Sequence, residues 1–441
     1  MRRKLTAWTA LALALALYAS AASAQVQGLY YREVVKDGRV YVFNTPEKLK
    51  AWEASGDMGA AVTLVGRGAN GETLVAENDT AIDLYLFKHN LEPYERPTPK
   101  PAAPPAPSAY PKTTIGGRIF ADFTSKTNKD EGAGSKSSDS GVGVDVKRFY
   151  FAAQHDFDST WSVKFVTDIG DQGSKRYDVF VKNAFLQMKV RPEATFRIGA
   201  ADLPWVPFVE GLQGTRYLEN VLIDRLGFGT SADWGLHLLG SAADGKLGYA
   251  FSAVNGKGYS NPGRTKSVDF EGRVSFEPVK GLTLAVGGYT GKLGNETFTT
   301  SAKHTAQRLD ALAAYANDRF RVGAEYFSAD NWKTVASTSS DKSDGYSGWF
   351  GVNFTKQLSL IGRYDDVKPS KDLKPALKDT YYNLGLQYQL TKNIAGVLAY
   401  KHEEVKGGTL AVSNGTIGST NLAVNDKGKY DEVGVWFLYN F

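Results

Sequence analysis

The chain has 441 residues and no cysteine, its hydrophobic fraction is 42%, and its formal charge is +5. Beyond position 24, no apolar stretch reaches the roughly 18 residues of a membrane-spanning helix, which excludes a helical membrane bundle. The lack of cysteine excludes a disulfide scaffold and a thiolate metal site. The aromatic fraction of 12% excludes a wholly disordered chain.

Residues 1–24 show the pattern of a bacterial secretory signal peptide. Three basic residues, Arg2, Arg3 and Lys4, precede a Leu/Ala-rich run, and Ala22-Ser23-Ala24 offers the small residues of a cleavage site. We expect the mature chain to begin near Gln25, which lowers the formal charge to +2. A near-neutral exported chain gives no reason to expect a nucleic-acid partner. An uncleaved N-terminal anchor helix is the alternative.

Prolines predict the domain organisation. Eight of the sixteen prolines lie between positions 93 and 111, a composition typical of a semi-rigid polyproline linker. The sequence therefore predicts a small domain over 25–92, a linker over 93–112 and a large domain over 113–441. In the small domain, turn signals and Asn44-Thr45-Pro46-Glu47 predict two hairpins and two helices, an α/β arrangement.

The small domain contains one Gly-x-Gly-x-x-Gly match, Gly66-Arg67-Gly68-Ala69-Asn70-Gly71. A dinucleotide site requires this motif between a strand and a helix. Here Asn70-Gly71 is a hairpin-turn signal, and the residues that follow continue as a strand. We therefore predict a hairpin turn and no cofactor.

The large domain repeats one pattern, a segment of about ten residues with alternating polarity, which is the length at which a tilted strand crosses a bilayer. We predict sixteen such strands. Their approximate positions are 114–124, 146–157, 161–169, 177–190, 194–201, 231–240, 246–256, 265–277, 281–291, 306–316, 319–329, 344–355, 357–366, 379–390, 393–405 and 429–441.

Seven short turns alternate with eight long polar loops between these segments. An even-numbered antiparallel barrel of the outer membrane sorts its connections in this way, with short periplasmic turns and long external loops. The predicted fold is therefore all-β: a 16-stranded antiparallel transmembrane β-barrel with a small N-terminal α/β periplasmic domain. We expect apolar side chains to face lipid and polar ones to face the lumen.

The strand residues predicted to face the lumen carry nearly equal numbers of positive and negative charges. We call this set of positions the inward phase. The predicted pore-wall cations are Arg118, Arg148, Lys164, Arg197, Arg273, Arg308, Arg321, Arg363 and Lys401. The carboxylates on the same phase are Asp122, Asp168, Asp233, Asp269, Glu271, Asp310, Glu325, Asp365, Glu403 and Glu432. We expect these groups to remain solvated and to select solutes by charge and size. The alternative for each is a cross-strand pair that stabilises the wall.

The third long loop, 202–230, is unusually apolar for its length. Such a segment should pack against protein, and we predict that it folds into the barrel and narrows it. Its charged residues Arg216, Glu219, Asp224 and Arg225 are then candidates for the constriction. Packing on a neighbouring protomer is the alternative.

Catalytic signals are weak. The five histidines are scattered without metal-ligand spacing, and Gly345-Tyr346-Ser347-Gly348 does not have the spacing of a nucleophile elbow. His237 is the one inward, mid-strand histidine, and we expect it to be a wall residue. We predict no catalytic residue, metal or cofactor, although a barrel hydrolase built from separate strands stays open.

The large domain resembles the phosphate-selective porin O and P family. The residues that carry this resemblance are Gly117-Arg118-Ile119-Phe120-Ala121-Asp122, Lys147-Arg148, Arg197-Ile198-Gly199, Asp202-Leu203-Pro204, Arg225, Asp233-Trp234-Gly235, Tyr249-Ala250-Phe251, Val254-Asn255-Gly256 and the terminal Phe441. The resemblance implies a trimeric Gram-negative outer-membrane porin that passes anions such as phosphate, with Arg216 and Arg225 at a basic constriction.

The sequence thus predicts a porin channel for passive ion and solute transport. Its predicted partners are outer-membrane lipid, small hydrophilic solutes, two further copies of the chain and a periplasmic partner of the N-terminal domain. Two alternatives remain: a non-conducting barrel that tethers the envelope through that domain, and an outer-membrane enzyme.

Overall fold

The computed structural model describes residues 30–96, 110–171, 177–191, 193–419 and 427–441. The predicted signal peptide and most of the predicted Pro-rich linker, residues 97–109, lie outside these ranges. The chain divides into two compact units, Met1–Pro105 and Ala106–Phe441. Among the described residues, no helix is both long and apolar enough to cross a bilayer.

The first unit contains four strands and two helices. Strands β1 (Arg32–Lys36), β2 (Arg39–Phe43), β3 (Val62–Leu64) and β4 (Thr73–Ala76) form one sheet in the order β1-β2-β4-β3, with β2 parallel to β4. Helices α1 (Pro46–Ser55) and α2 (Asp79–Lys88) follow β2 and β4. Thr45 and Asn78 cap the helices by accepting from backbone N–H groups, the role for which short polar side chains are favoured.

The two helices of this unit cover opposite faces of its sheet. Tyr41 and Phe43 of β2 contact Trp52 of α1, whereas the alternate residues Val40 and Val42 are buried with α2. Successive strand side chains point to opposite faces, so each helix occupies its own face. The Gly66–Gly71 motif forms the β3–β4 turn, as the hairpin interpretation predicts.

The second unit is a closed antiparallel barrel with sixteen wall strands among its described residues. These are β5 (Lys112–Asp130), β7 (Gly141–Asp156), β8 (Trp161–Asp171), β9 (Tyr177–Arg191), β10 (Ala194–Asp202), β11 (Ala232–Ala242), β12 (Leu247–Val254), β13 (Asp269–Phe276), β14 (Leu282–Gly291), β15 (Ala306–Ala316), β16 (Phe320–Asp330), β17 (Lys342–Asn353), β18 (Leu358–Lys368), β19 (Lys378–Thr391), β20 (Ile394–Lys406) and β23 (Lys427–Asn440). Three further short strands, β6 (Ser135–Lys136), β21 (Thr409–Val412) and β22 (Gly415–Gly418), lie in loops. The predicted sixteen-stranded barrel is confirmed.

The alternating sequence pattern becomes an apolar outside and a polar inside. Along β15, Arg308, Asp310 and Leu312 are buried, whereas Leu309, on the outer face between them, is 60% exposed. Short turns join the strands at one end of the barrel and longer loops join them at the other. We call these the short-turn end and the long-loop end.

The chain terminus closes the barrel. The backbone N–H of Gly117 donates to the carbonyl oxygen of Phe441 (2.9 Å), and the N–H of Phe441 donates back to Gly117 (3.1 Å). A Cβ atom at Gly117 would overlap the Phe441 ring and the carbonyl oxygen of Tyr150. Glycine at this position therefore permits the first and last strands to meet.

We predict that Gly117→Ala weakens barrel closure by about 1–3 kcal/mol, the usual cost of overpacking. The measurement is the folded fraction on a gel that separates folded from heat-unfolded barrels, over a denaturant series. Gly143→Ala is the matched control, because a Cβ there would meet no atom within 4 Å. Equal folded fractions for both variants would contradict the prediction.

Candidate functional site: the barrel lumen

The segment between β10 and β11 lies inside the barrel. It forms helix α3 (Val206–Gln213) and the single turn α4 (Leu222–Arg225). Its apolar side chains are buried together with inward residues of several wall strands. The cluster contains Trp205, Val206, Val209, Val221, Leu222, Ile223, Leu226 and Phe228 of the segment, packed on Ala285, Leu312, Ala314, Phe327, Ala329, Trp349 and Val367 of the wall. We call residues 202–230 the lumen segment.

Wall side chains also hold the backbone of the lumen segment. Arg273, Arg308, Arg321 and Arg363 donate to the carbonyl oxygens of Pro204, Phe228, Gln213 and Asn220 respectively. The carboxylate of Glu271 accepts from the N–H of Trp205 (3.0 Å). Four predicted pore-wall arginines therefore also act as anchors for the segment.

Among the described residues of the lumen segment, Arg225 forms the largest number of ion pairs. Its guanidinium is paired with Asp365 (3.2 Å), Asp379 (2.6 Å) and Glu403, which come from three adjacent strands, and its side chain is completely buried. Arg225, one of the four constriction candidates, is therefore turned toward the wall and has no exposed side-chain surface. A guanidinium offers five N–H donors in a fixed plane, and here carboxylates of the wall occupy them.

Glu219 also points to the wall. Its carboxylate lies 3.2 Å from the ammonium of Lys401, which in turn lies 2.7 Å from Glu432. All three side chains are almost fully buried. Glu219 is therefore held mainly by a buried lysine of the wall, and only 6% of it is exposed in the lumen cavity that it lines together with Arg216.

Arg216 and Asp224 are the two constriction candidates that remain partly exposed. The Arg216 guanidinium lies 2.6 Å from Glu210 and 3.7 Å from Asp224. Burial raises the pKa of the Asp224 carboxyl, and the nearby Arg216 charge opposes this rise. On the facing wall, Arg148 pairs with Asp168 (3.0 Å).

The lumen segment separates the wall charges into two groups. All ten inward carboxylates predicted from the sequence are buried, with exposed fractions of 4% or less. Of the nine inward cations, Arg308, Arg363 and Lys401 are buried as well. The expectation that these groups stay solvated is wrong for them, because packed protein replaces lumen water over much of the wall.

The remaining six cations are at least partly exposed: Arg118, Arg148, Lys164, Arg197, Arg273 and Arg321. Among the described residues, only Arg148 of these six has a carboxylate within 4 Å. The others contact neutral groups instead; for example, Arg118 donates to Asn440 (3.0 Å) and Arg197 to Gln187 (2.9 Å). These five unpaired cations lie in the halves of their strands nearest the short turns, and we call them the cation ring.

Two further inward cations do not follow the two-residue alternation of their strands, so the sequence pattern does not identify them. The β5–β7 register shifts at Phe120/Ala121 and the β8–β9 register shifts at Val166/Thr167. A bulge adds one residue to a strand and redirects its side chain, and Lys147 and Lys182 fall at these places. Lys147 lies 3.2 Å from Asp122. Lys182 lies over the rings of Tyr150 and Tyr259, at 4.9 and 5.5 Å.

His237 is a buried wall residue. Its Nδ1 is 2.8 Å from the hydroxyl of Ser252 and its Nε2 is 3.4 Å from the carbonyl oxygen of Gly199. Across the described parts of the chain, no group of three or more His, Cys, Asp or Glu residues could hold a metal ion.

Comparison with solved structures identifies the fold. A loop L8 deletion mutant of OmpT, an outer membrane protein of Vibrio cholerae, is 13% identical and has a TM-score of 0.52, covering 75% of this chain and 99% of its own. The trimer form of in-vitro folded OmpT is 12% identical with a TM-score of 0.51, over 75% and 99%. An anion-selective porin from Comamonas acidovorans is 12% identical with a TM-score of 0.52, also over 75% and 99%.

The second unit therefore has the barrel fold of outer-membrane porins. No protein-family model matches the chain, and no curated protein matches it either.

We predict that Arg225→Gln destabilises the protein by about 3–5 kcal/mol, because it leaves buried carboxylates without their counter-charge. The measurement is the free energy of unfolding in detergent by denaturant titration, with limited proteolysis of residues 202–230 as a local readout. Adding Asp379→Asn should recover part of the loss. Arg319→Gln, on an exposed short turn, is the control and should change the free energy by less than about 0.5 kcal/mol.

Proposed function

We propose that this protein is an outer-membrane channel for the passive diffusion of small hydrophilic solutes, and that it prefers anions. The observation that carries this proposal is the cation ring. Five cations without a carboxylate within 4 Å among the described residues remain at least partly exposed, whereas the ten carboxylates of the predicted inward phase are buried. Of the charges predicted to face inward, those that remain partly exposed are therefore all basic, although the sequence count is balanced.

Elementary electrostatics gives the size of the effect. In water, a unit charge about 5 Å from an anion stabilises it by about 0.8 kcal/mol, roughly a fourfold change in occupancy. Salt near 0.1 M screens charges beyond about 10 Å, so each solute responds mainly to the cations that it passes closely. A preference for anions of several-fold is expected, without tight binding.

Phosphate is the anion suggested by the sequence resemblance, and the geometry limits how it would be held. Arg225 is already enclosed by three carboxylates, and Arg216 is paired with Glu210 and Asp224. We propose that phosphate interacts first with Lys164 and Arg197 of the cation ring. The sequence resemblance supports a phosphate role, and the charge arrangement supports anions more generally.

We further propose that the barrel lies in the outer membrane as a homotrimer, with the N-terminal unit in the periplasm. The apolar outer face of the strands supports the membrane location. The trimer form of the similar OmpT supports the oligomeric state. No catalytic role is included, because the proposed function is passive.

We predict that the wild-type protein conducts in a planar bilayer and shows an anion-signed reversal potential in a salt gradient. Lys164→Gln combined with Arg197→Gln should reduce the anion-to-cation permeability ratio about two- to fourfold, because two of the five unpaired charges are removed. Lys246→Gln, on an exposed short turn, is the control and should leave the ratio unchanged.

The same recordings separate the alternatives. An absence of conductance would refute the channel and favour the structural tether. A cation-signed potential would refute the anion preference alone. Block by millimolar phosphate that weakens in the double variant would support the phosphate role, and block that is unchanged in that variant would oppose it.

A further inference from the structure

A hairpin in the last long loop folds down into the lumen. Strands β21 and β22 pair antiparallel with Val412 opposite Gly415, so Ser413 and Asn414 form the tip. Ile417 is completely buried with Leu377 of the neighbouring loop and with wall residues. The hairpin Thr409–Gly418 is therefore a packed element of the barrel interior, and we call it the lumen hairpin.

The tip of the lumen hairpin contacts the ion network that holds the lumen segment. The N–H of Ser413 donates to the carbonyl oxygen of Arg225 (2.9 Å), and its hydroxyl donates to the carboxylate of Glu219 (2.8 Å). The side-chain amide of Asn414 donates to Glu403 (2.9 Å). Glu219 and Glu403 thus each bind a basic residue on one side and the hairpin tip on the other.

The same hairpin also contacts two apolar clusters and the first wall strand. Leu410 and Val412 pack against the cluster of the lumen segment and against the cluster around Ile417. On the other edge, the side-chain amide of Asn128 in β5 donates to the carbonyl oxygen of Thr416 (2.9 Å). The hairpin therefore bridges the lumen segment and the first wall strand.

This bridge forms one wall of a cavity on the long-loop side of the constriction. The cavity measures about 990 Å³. Ser413, Asn414 and Gly415 line one part of it, and Arg148 and Arg216 of the constriction also line it. The hairpin thus fills part of the lumen beside Arg216, on the side that faces the long loops.

We propose that the lumen hairpin is a second size-selecting element of the channel, with Ser413 and Asn414 as its specificity-determining residues. It limits passage at the long-loop entrance to solutes smaller than the lumen segment alone would admit. This inference rests on the proposed channel function. Its physical basis is that a wider path carries more ions and admits larger solutes.

The decisive experiment shortens the hairpin in the full chain. Residues 408–419 are replaced by Gly-Gly-Ser-Gly, and single-channel conductance and the swelling of liposomes in neutral sugars of graded size are measured. We expect conductance to rise at least about 1.5-fold and the largest permeant sugar to increase in size. Unchanged conductance and an unchanged size limit would overturn the inference.

A milder variant keeps the loop length and tests the tip alone. Ser413→Gly with Asn414→Gly removes the two side-chain hydrogen bonds, so we expect larger current fluctuations in the open channel. The control is Thr300→Gly with Ser301→Gly, in an exposed part of another long loop. If the shortened protein does not fold, unchanged fluctuations in the tip variant would overturn the inference.

The wild-type recordings distinguish this inference from the proposed function. If the wild-type protein does not conduct, the channel proposal itself fails. If it conducts and the hairpin variants match it, only the size-selecting role fails.

Discussion

The pairing of Arg225 with three carboxylates is the interaction on which the interior arrangement depends. Three adjacent wall strands supply Asp365, Asp379 and Glu403, and one segment inside the barrel supplies the guanidinium. Buried ion pairs add little net stability, but removing one partner is costly. The pairing therefore specifies position: few other placements of residues 202–230 would match all three carboxylates. The apolar cluster around Trp205 and Phe228 supplies the burial that a network of charges alone does not.

The electrostatic character of the lumen follows from this placement. The lumen segment covers the part of the wall that carries Asp310, Glu325 and Asp365, and these side chains lose their contact with water. Cations such as Lys164 and Arg197 lie nearer the short-turn end and remain partly exposed. Of the charges predicted to face inward, only basic ones therefore remain partly exposed. The charge that the interior presents consequently depends on which wall residues are covered, and the total number of each sign does not determine it.

The barrel could be predicted from the sequence because its physical signal is local. A strand such as Ala306–Ala316 alternates residue by residue between the exposed outer face and the interior, and short turns separate such segments. The orientation of Arg225 and Glu219 could not be predicted, because it depends on Asp379, Lys401 and other residues far away in the chain. Lys147 and Lys182 were missed for a different reason: a register shift breaks the two-residue period on which the inward assignment rests.

The lumen hairpin shows how local turn chemistry and distant charges act together. Gly407, Gly408 and Gly418 at its two ends adopt positive φ angles, which glycine tolerates without steric cost, and this permits the chain to turn back into the barrel. The tip then donates hydrogen bonds to Glu219 and Glu403, carboxylates that are already paired with Lys401 and Arg225. Each carboxylate therefore retains enough acceptor capacity for a second partner. Because both lumen elements share these two carboxylates, a substitution at Lys401 or Arg225 should disturb the hairpin and the segment together.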